Sequence, residues 1–199
     1  MKVYYPKLNL EITLQENIVM DLIIENPSIM SDFIGDLWRQ MHGQPGEIAL
    51  FDGITEFSVS KRSILISNPF EVNCNEKRIV TALYKELKNN ADEVYQNRLE
   101  TINSEIVNVL DDLFNTVPYN LTSADDLDVS ALLKLYDVKI ESTDCTMEEM
   151  LMDYIRAVHD ICNIDIVFFL NLKQYMTQET LQEFYKFCNY KKMCVVNIE

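Results

Sequence analysis

Asp165-Ile-Val-Phe-Phe-Leu170 and, farther on, Met193-Cys-Val-Val-Asn-Ile198 are short apolar runs rich in β-branched and aromatic residues. Runs of this length without polar alternation predict strands covered on both faces, as the strands of a parallel sheet are. Between them Thr177 caps a helix that carries Leu181, Phe184, Tyr185 and Phe187, so the segment reads strand, helix, strand. Upstream, Thr146-x-x-Glu149 is a capping box opening a helix to about Ile161.

The N-terminal part has the same grammar. Residues 8–13 alternate apolar and polar, predicting a strand covered on one face, and residues 17–24 read as a second, more buried strand. Asn26-Pro27 supplies a helix cap with proline at the first helical position, and Ile29, Phe33, Ile34, Leu37 and Met41 follow at helical spacing up to His42-Gly43. Residues 47–52 and 63–67 are short apolar runs bounded by Gly53 and by Asn68-Pro69, which predicts two more strands.

The middle of the chain is different. Asn73-x-x-Glu76 reads as a capping box, and residues 79–114 contain neither proline nor glycine, predicting one long helix broken at most once. Its apolar positions, Val80, Tyr84, Leu87, Ala91 and Val94, then Leu99, Ile102, Ile106, Val109 and Leu113, form a stripe that needs a packing partner. Pro118 ends this arm, Ser123-Ala-Asp-Asp-Leu-Asp128 makes an acidic turn, and a short helix with Leu132, Leu133 and Leu135 leads to a strand at Val138-Lys-Ile-Glu141. The fold class expected is α/β: a head with a mainly parallel sheet, built from residues 1–75 and 138–199, and an inserted helical arm and hinge at 76–137.

Composition narrows the function. Apolar residues make up 48% and charged residues 25% of the 199, which is ordinary globular usage. The longest purely apolar run, 166–170, is far below the roughly 18 to 20 residues of a membrane span. Met1-Lys-Val-Tyr-Tyr-Pro6 places polar residues where a secretory signal needs apolar ones, so a cytoplasmic location is expected. Five cysteines, Cys74, Cys145, Cys162, Cys188 and Cys194, have no paired spacing and read as reduced thiols. A net charge of −15 repels nucleic acid and anionic lipid unless positive charge is gathered locally.

No catalytic constellation stands out, and the protein is expected to bind rather than catalyse. The turn Glu25-Asn-Pro-Ser28 has no glycine or lysine to cradle a phosphate, and the strand at 166–170 runs into Asn171 where a magnesium-holding acid would lie. His159 and Cys162 lie three residues apart on a predicted helix, a spacing commoner in packing than in thiol chemistry. Asp125, Asp126 and Asp128 could offer oxygens to calcium or simply cap a helix. Lys61-Arg62, Lys77-Arg78 and Lys191-Lys192 are the adjacent basic pairs, suited to phosphate contact on a duplex if they are more than solvated surface.

Several blocks carry a resemblance: Ala49-Leu-Phe-Asp52; Ile64-Leu-Ile-Ser-Asn-Pro-Phe-Glu-Val-Asn73; Leu132-Leu-Lys-Leu-Tyr-Asp-Val-Lys-Ile-Glu141; Ile166-Val-Phe-Phe-Leu-Asn171; Tyr175-Met-Thr-Gln-Glu179; and Val195-Val-Asn-Ile-Glu199. In order and spacing, over residues 45–199, they resemble the DNA-end-binding accessory protein family of spacer acquisition in type II-A CRISPR systems. The resemblance implies a homotetrameric ring of α/β heads with helical legs, a core related to P-loop proteins without nucleotide hydrolysis, and calcium at the hinge. It also implies double-stranded DNA ends threading the ring, with the CRISPR integrase and effector nuclease as partners. The family's acidic hinge falls on Asp125 and Asp126, although residues 119–123 lack the further carboxylates expected of relatives. Two other readings stand beside this one: a nucleotide-handling α/β enzyme with an atypical phosphate site, and an adaptor that oligomerises through its arm.

Overall fold

The computed structural model describes residues 1–15, 18–141 and 145–199. The chain divides into two compact units, Met1–Cys74 with Ser142–Glu199, and Asn75–Glu141.

The first unit is organised around β7 (Ile166–Leu170) and β8 (Cys194–Ile198), the two apolar runs without polar alternation. They pair in parallel and are flanked by β3 (Val19–Leu22) and β6 (Ser63–Ile66), giving a four-stranded parallel sheet in the order β3-β8-β7-β6. Both inner strands therefore come from the part of the chain after the second unit, and both outer strands from the part before it. Ile166, Phe168, Val196 and Ile198 face a core that also holds Phe33 and Leu37 of α1 (Pro27–Met41). Phe169 points the other way and meets Phe184 of α7 (Gln178–Tyr190) edge to face at 5.5 Å. Burial on both faces is why these strands show no polar alternation.

A mainly parallel sheet was the expectation, and the structure corrects it. β1 (Lys2–Tyr5), β2 (Leu10–Thr13), β4 (Ala49–Asp52) and β5 (Thr55–Phe57) form a second, wholly antiparallel sheet in the order β2-β1-β4-β5. Its strands alternate, with Val3, Tyr5, Ile12 and Leu50 buried and their neighbours more exposed, as one-sided antiparallel sheets do. The β4-β5 turn is Gly53-Ile54, closed by the Asp52–Thr55 pair, with Gly53 at φ 61°, a hairpin signal that reads at first as a mere strand terminator. β3 is also less buried than its sequence suggests, because it lies on the edge of the parallel sheet; residue 17, where the predicted strand began, lies outside the described residues.

Local chemistry sets the helix ends. Asn26 accepts from Ser28 N–H at 2.9 Å at the start of α1, Thr146 and Glu149 complete a capping box on α6 (Met147–Asp160), and Thr177 caps α7. One buried carboxylate locks the end of α1 to the chain that follows it. Asp36 accepts from Glu47 N–H at 2.8 Å, Ile48 N–H at 3.1 Å, Arg39 at 2.9 Å and Gln40 at 3.1 Å. A short helix, α2 (Val59–Arg62), runs directly into β6.

The second unit is helical. α3 (Lys77–Val94) and α4 (Gln96–Phe114) meet at Tyr95, so the predicted long helix is two. Asn73 is not the cap of α3: the cap is Glu76, whose side chain makes no capping bond. α5 (Val129–Leu135) packs on α3. The predicted strand at 138–141 is not a strand. Val138 and Ile140 are half-buried and alternate with exposed neighbours, as in a strand, but side chains of the same unit take the place of a partner strand.

Candidate functional site

Parallel strands put all their amino ends on one edge of a sheet, and here that edge collects basic residues. Lys61 and Arg62 close α2 immediately before β6, and Lys191 and Lys192 stand just before β8. With β7 between them, two strand spacings of about 4.8 Å separate the pairs along the edge. The fold thus brings together two basic pairs that are 130 positions apart in sequence. One member of each is held by the fold itself. Arg62 pairs with Asp165 and lies 5.0 Å over the Phe57 ring, and Lys191 bonds Asp160 at 2.6 Å. Lys61 and Lys192 are exposed and make no ion pair among the described residues. Lys77 and Arg78, exposed on the first turn of α3, belong to the second unit.

The carboxyl edge of the same sheet is self-satisfied. Lys173 bridges Asp21 at 2.9 Å and Glu199 at 3.2 Å. Fully buried Asn197 accepts from Leu172 N–H at 3.2 Å and donates to Asp21 at 3.2 Å and Glu199 at 2.6 Å. The Asp21 bond, helped by that to Glu199, raises the Lys173 pKa. Burial, with the charge of Asp21 added, pushes the nearby Tyr185 phenol up to about 12. At the carboxyl end of β3, Asn26 caps the Ser28 and Ile29 amides, the groups that would face an anion at a helix start.

Both histidines are tied to backbone. His159 Nδ1 lies 2.8 Å from the Ile164 carbonyl, and His42 Nδ1 lies 2.8 Å from the Trp38 carbonyl with its ring stacked on the indole at 4.1 Å. Cys188 is buried, and that burial pushes its thiol up to about 12, so it stays protonated.

In the second unit the acidic turn is drawn into local structure. Asp128 caps α5 through Ser130 N–H at 3.0 Å and pairs with Lys88 at 3.5 Å. The Ser130 bond is the main cause that lowers its pKa, with Lys88 adding to it. Asp125 offers its backbone carbonyl to Asn103 at 2.7 Å, and Asp126 borders a groove of about 150 Å³ with Asp92 and Glu100. Calcium takes roughly six to eight oxygens at one point. Among the described residues no three His, Cys, Asp or Glu side chains gather closely enough to hold a metal ion, so the turn as placed does not fit that site.

α4 carries two apolar stripes. Leu99, Val107, Leu110 and Phe114 are half-buried, whereas Ile102, Ile106, Val109 and Leu113 are exposed; Ile102, Ile106 and Val109, with Glu105 and Leu110, border a groove of about 330 Å³. The sequence reading merges Leu99 with the exposed stripe and misses Val107, Leu110 and Phe114, whose own 3- and 4-residue spacing marks the inner face.

A model of the CRISPR-associated protein family Cas_Csn2 matches residues 40–199. The chain belongs to this family. Membership in Cas_Csn2, a type II-A CRISPR-associated family, places the protein in CRISPR adaptation, as the sequence blocks imply. Among curated proteins none matches the chain. The Cas_Csn2 match spans all of the second unit and both basic edge pairs, and it begins after most of α1. No helix among the described residues is long and apolar enough to cross a membrane.

Proposed function

We propose that this protein is a cytoplasmic, non-catalytic ring that holds double-stranded DNA ends during spacer acquisition, leaving the chemistry to the CRISPR integrase and effector nuclease. The observation that carries the DNA reading is the amino edge of the parallel sheet, where Lys61 and Lys192 stand exposed beside the strand ends of β6 and β8, on either side of β7, in a chain of net charge −15. Such an edge recognises phosphates, not bases, and its neutralised neighbours Arg62 and Lys191 brace it. The exposed α4 stripe is the surface by which copies join into a homotetramer, the second unit serving as leg. The test is binding to linear and to covalently closed circular duplex of equal length over a salt series, with and without calcium. Linear preference with steep salt dependence is expected. Lys61→Glu combined with Lys192→Glu lowers affinity at least about tenfold and flattens the salt slope by about 0.9 for each phosphate that is no longer neutralised. Equal or absent binding to both DNAs sinks the reading.

The α4 stripe favours a second reading, an adaptor that assembles through this helix and binds no DNA. Ile106→Glu with Val109→Glu is expected to leave the secondary structure intact and reduce the assembled mass in sedimentation. An unchanged mass would remove α4 from the assembly under either reading. The assembled protein failing to bind DNA would favour the adaptor.

A further inference from the structure

Asn75 and Ile140 stand 65 residues apart, at the two ends of the second unit, and are joined twice. The Asn75 amide donates to the Ile140 carbonyl at 2.9 Å, and its Oδ1 accepts from Ile140 N–H at 2.8 Å. A single side chain thereby reproduces the paired bonds of an antiparallel bridge. Two residues away, Tyr84 of α3 donates from its hydroxyl to the Val138 carbonyl at 2.8 Å. Residues 138 and 140 turn inward to these bonds, and Lys139 and Glu141 turn out. The position needs a group that donates and accepts at once in one plane, which a carboxylate cannot do.

We infer that Asn75 is a clasp that shuts the second unit at its base, so that the start of α3 and residues 138–141 open and close as one step. An insertion whose ends are not joined frays from each end independently, because terminal turns open at almost no free-energy cost. With the clasp closed, Val80 N–H, bonded to Glu76 O at 3.0 Å in the first turn of α3, is protected by the same event that protects Ile140 N–H. The unit can then be pulled or turned as one body with both its ends fixed.

Native-state hydrogen exchange on the full chain tests this. In Asn75→Ala, the amides of Ile140 and of residues 80–83 are expected to exchange faster together, by at least about tenfold, the loss of roughly one net hydrogen bond. Amides of β7 and β8 should keep their rates. Asn75→Asp, which keeps the acceptor but loses the donor, should move both sets in the same direction. Acceleration of Ile140 alone, or of neither set, overturns the clasp. So does an equal acceleration of the β7 and β8 amides, which would make Asn75 a contributor to global stability only.

Discussion

Asp36→Ala is expected to lose about 3 kcal/mol of stability at pH 7 by urea unfolding, because it strands the buried Ile48 amide, at about 1 to 3 kcal/mol, and removes the charge-assisted bond from the part-buried Glu47 amide. The Arg39 and Gln40 bonds go with them. The loss is also pH-dependent, with a definite sign. Burial alone would raise the Asp36 carboxyl, but the bonds from Glu47, Arg39, Gln40 and Ile48 outweigh it and hold its pKa below the usual 3.8. A carboxyl lowered on folding contributes stability above its unfolded value and loses it as pH falls through the folded value. The difference between wild type and Asp36→Ala should therefore be constant near neutrality and shrink below about pH 4. A difference that stayed constant down to about pH 2 would mean that Asp36 acts through packing alone.

Asn197→Asp should show the opposite sign. It places a third carboxylate, fully buried, beside Asp21 and Glu199, with the ammonium of Lys173 near by as counter-charge. Desolvation and like charge both disfavour the ionised form, so a loss of about 3 kcal/mol is expected at pH 7. The new carboxyl is raised on folding, and its penalty falls as pH drops and protonation restores a donor. Relative to wild type, this variant recovers in acid, as its raised carboxyl takes up a proton. An Asn197→Asp protein as stable as wild type at pH 7 would show that the carboxyl edge of the sheet admits water.

These two residues also show where the sequence is legible. Asn26, Thr146, Glu149 and Thr177 act on amides two or three positions away, and each cap can be read by eye. Residues 166–170 and 194–198 are legible because burial on both faces leaves its mark in every position. Asp36 and Asn197 are ordinary polar letters in apolar surroundings until the chain brings residues 47, 48, 21 and 172 to them. The pairing of β1 with β4 joins segments almost fifty residues apart, and nothing in either announces the other. The same holds for Val138 and Ile140, whose alternation is that of a strand but whose partners are Tyr84 and Asn75. At the basic edge the letters Lys61, Arg62, Lys191 and Lys192 are plain. Their common address is not, because it follows from the strand order, and neither is the neutralisation of two of them by Asp165 and Asp160.

The strand order has a bearing on how the protein is made. A ribosome delivers the antiparallel sheet complete by residue 57, and the parallel sheet's two outer strands by residue 66. Those outer strands cannot touch each other in the finished sheet. β6 must wait for β7, encoded about one hundred residues later, an interval of about 5 to 20 s at ordinary synthesis rates, and β3 waits longer still for β8. During that time β6, with three of its four side chains destined for burial, has no partner, while the antiparallel sheet and the helices of the second unit can already form. The last strand delivered, β8, closes the sheet from within, so growth conditions that slow translation lengthen the period in which the unpaired apolar strand is open to chaperones and to aggregation.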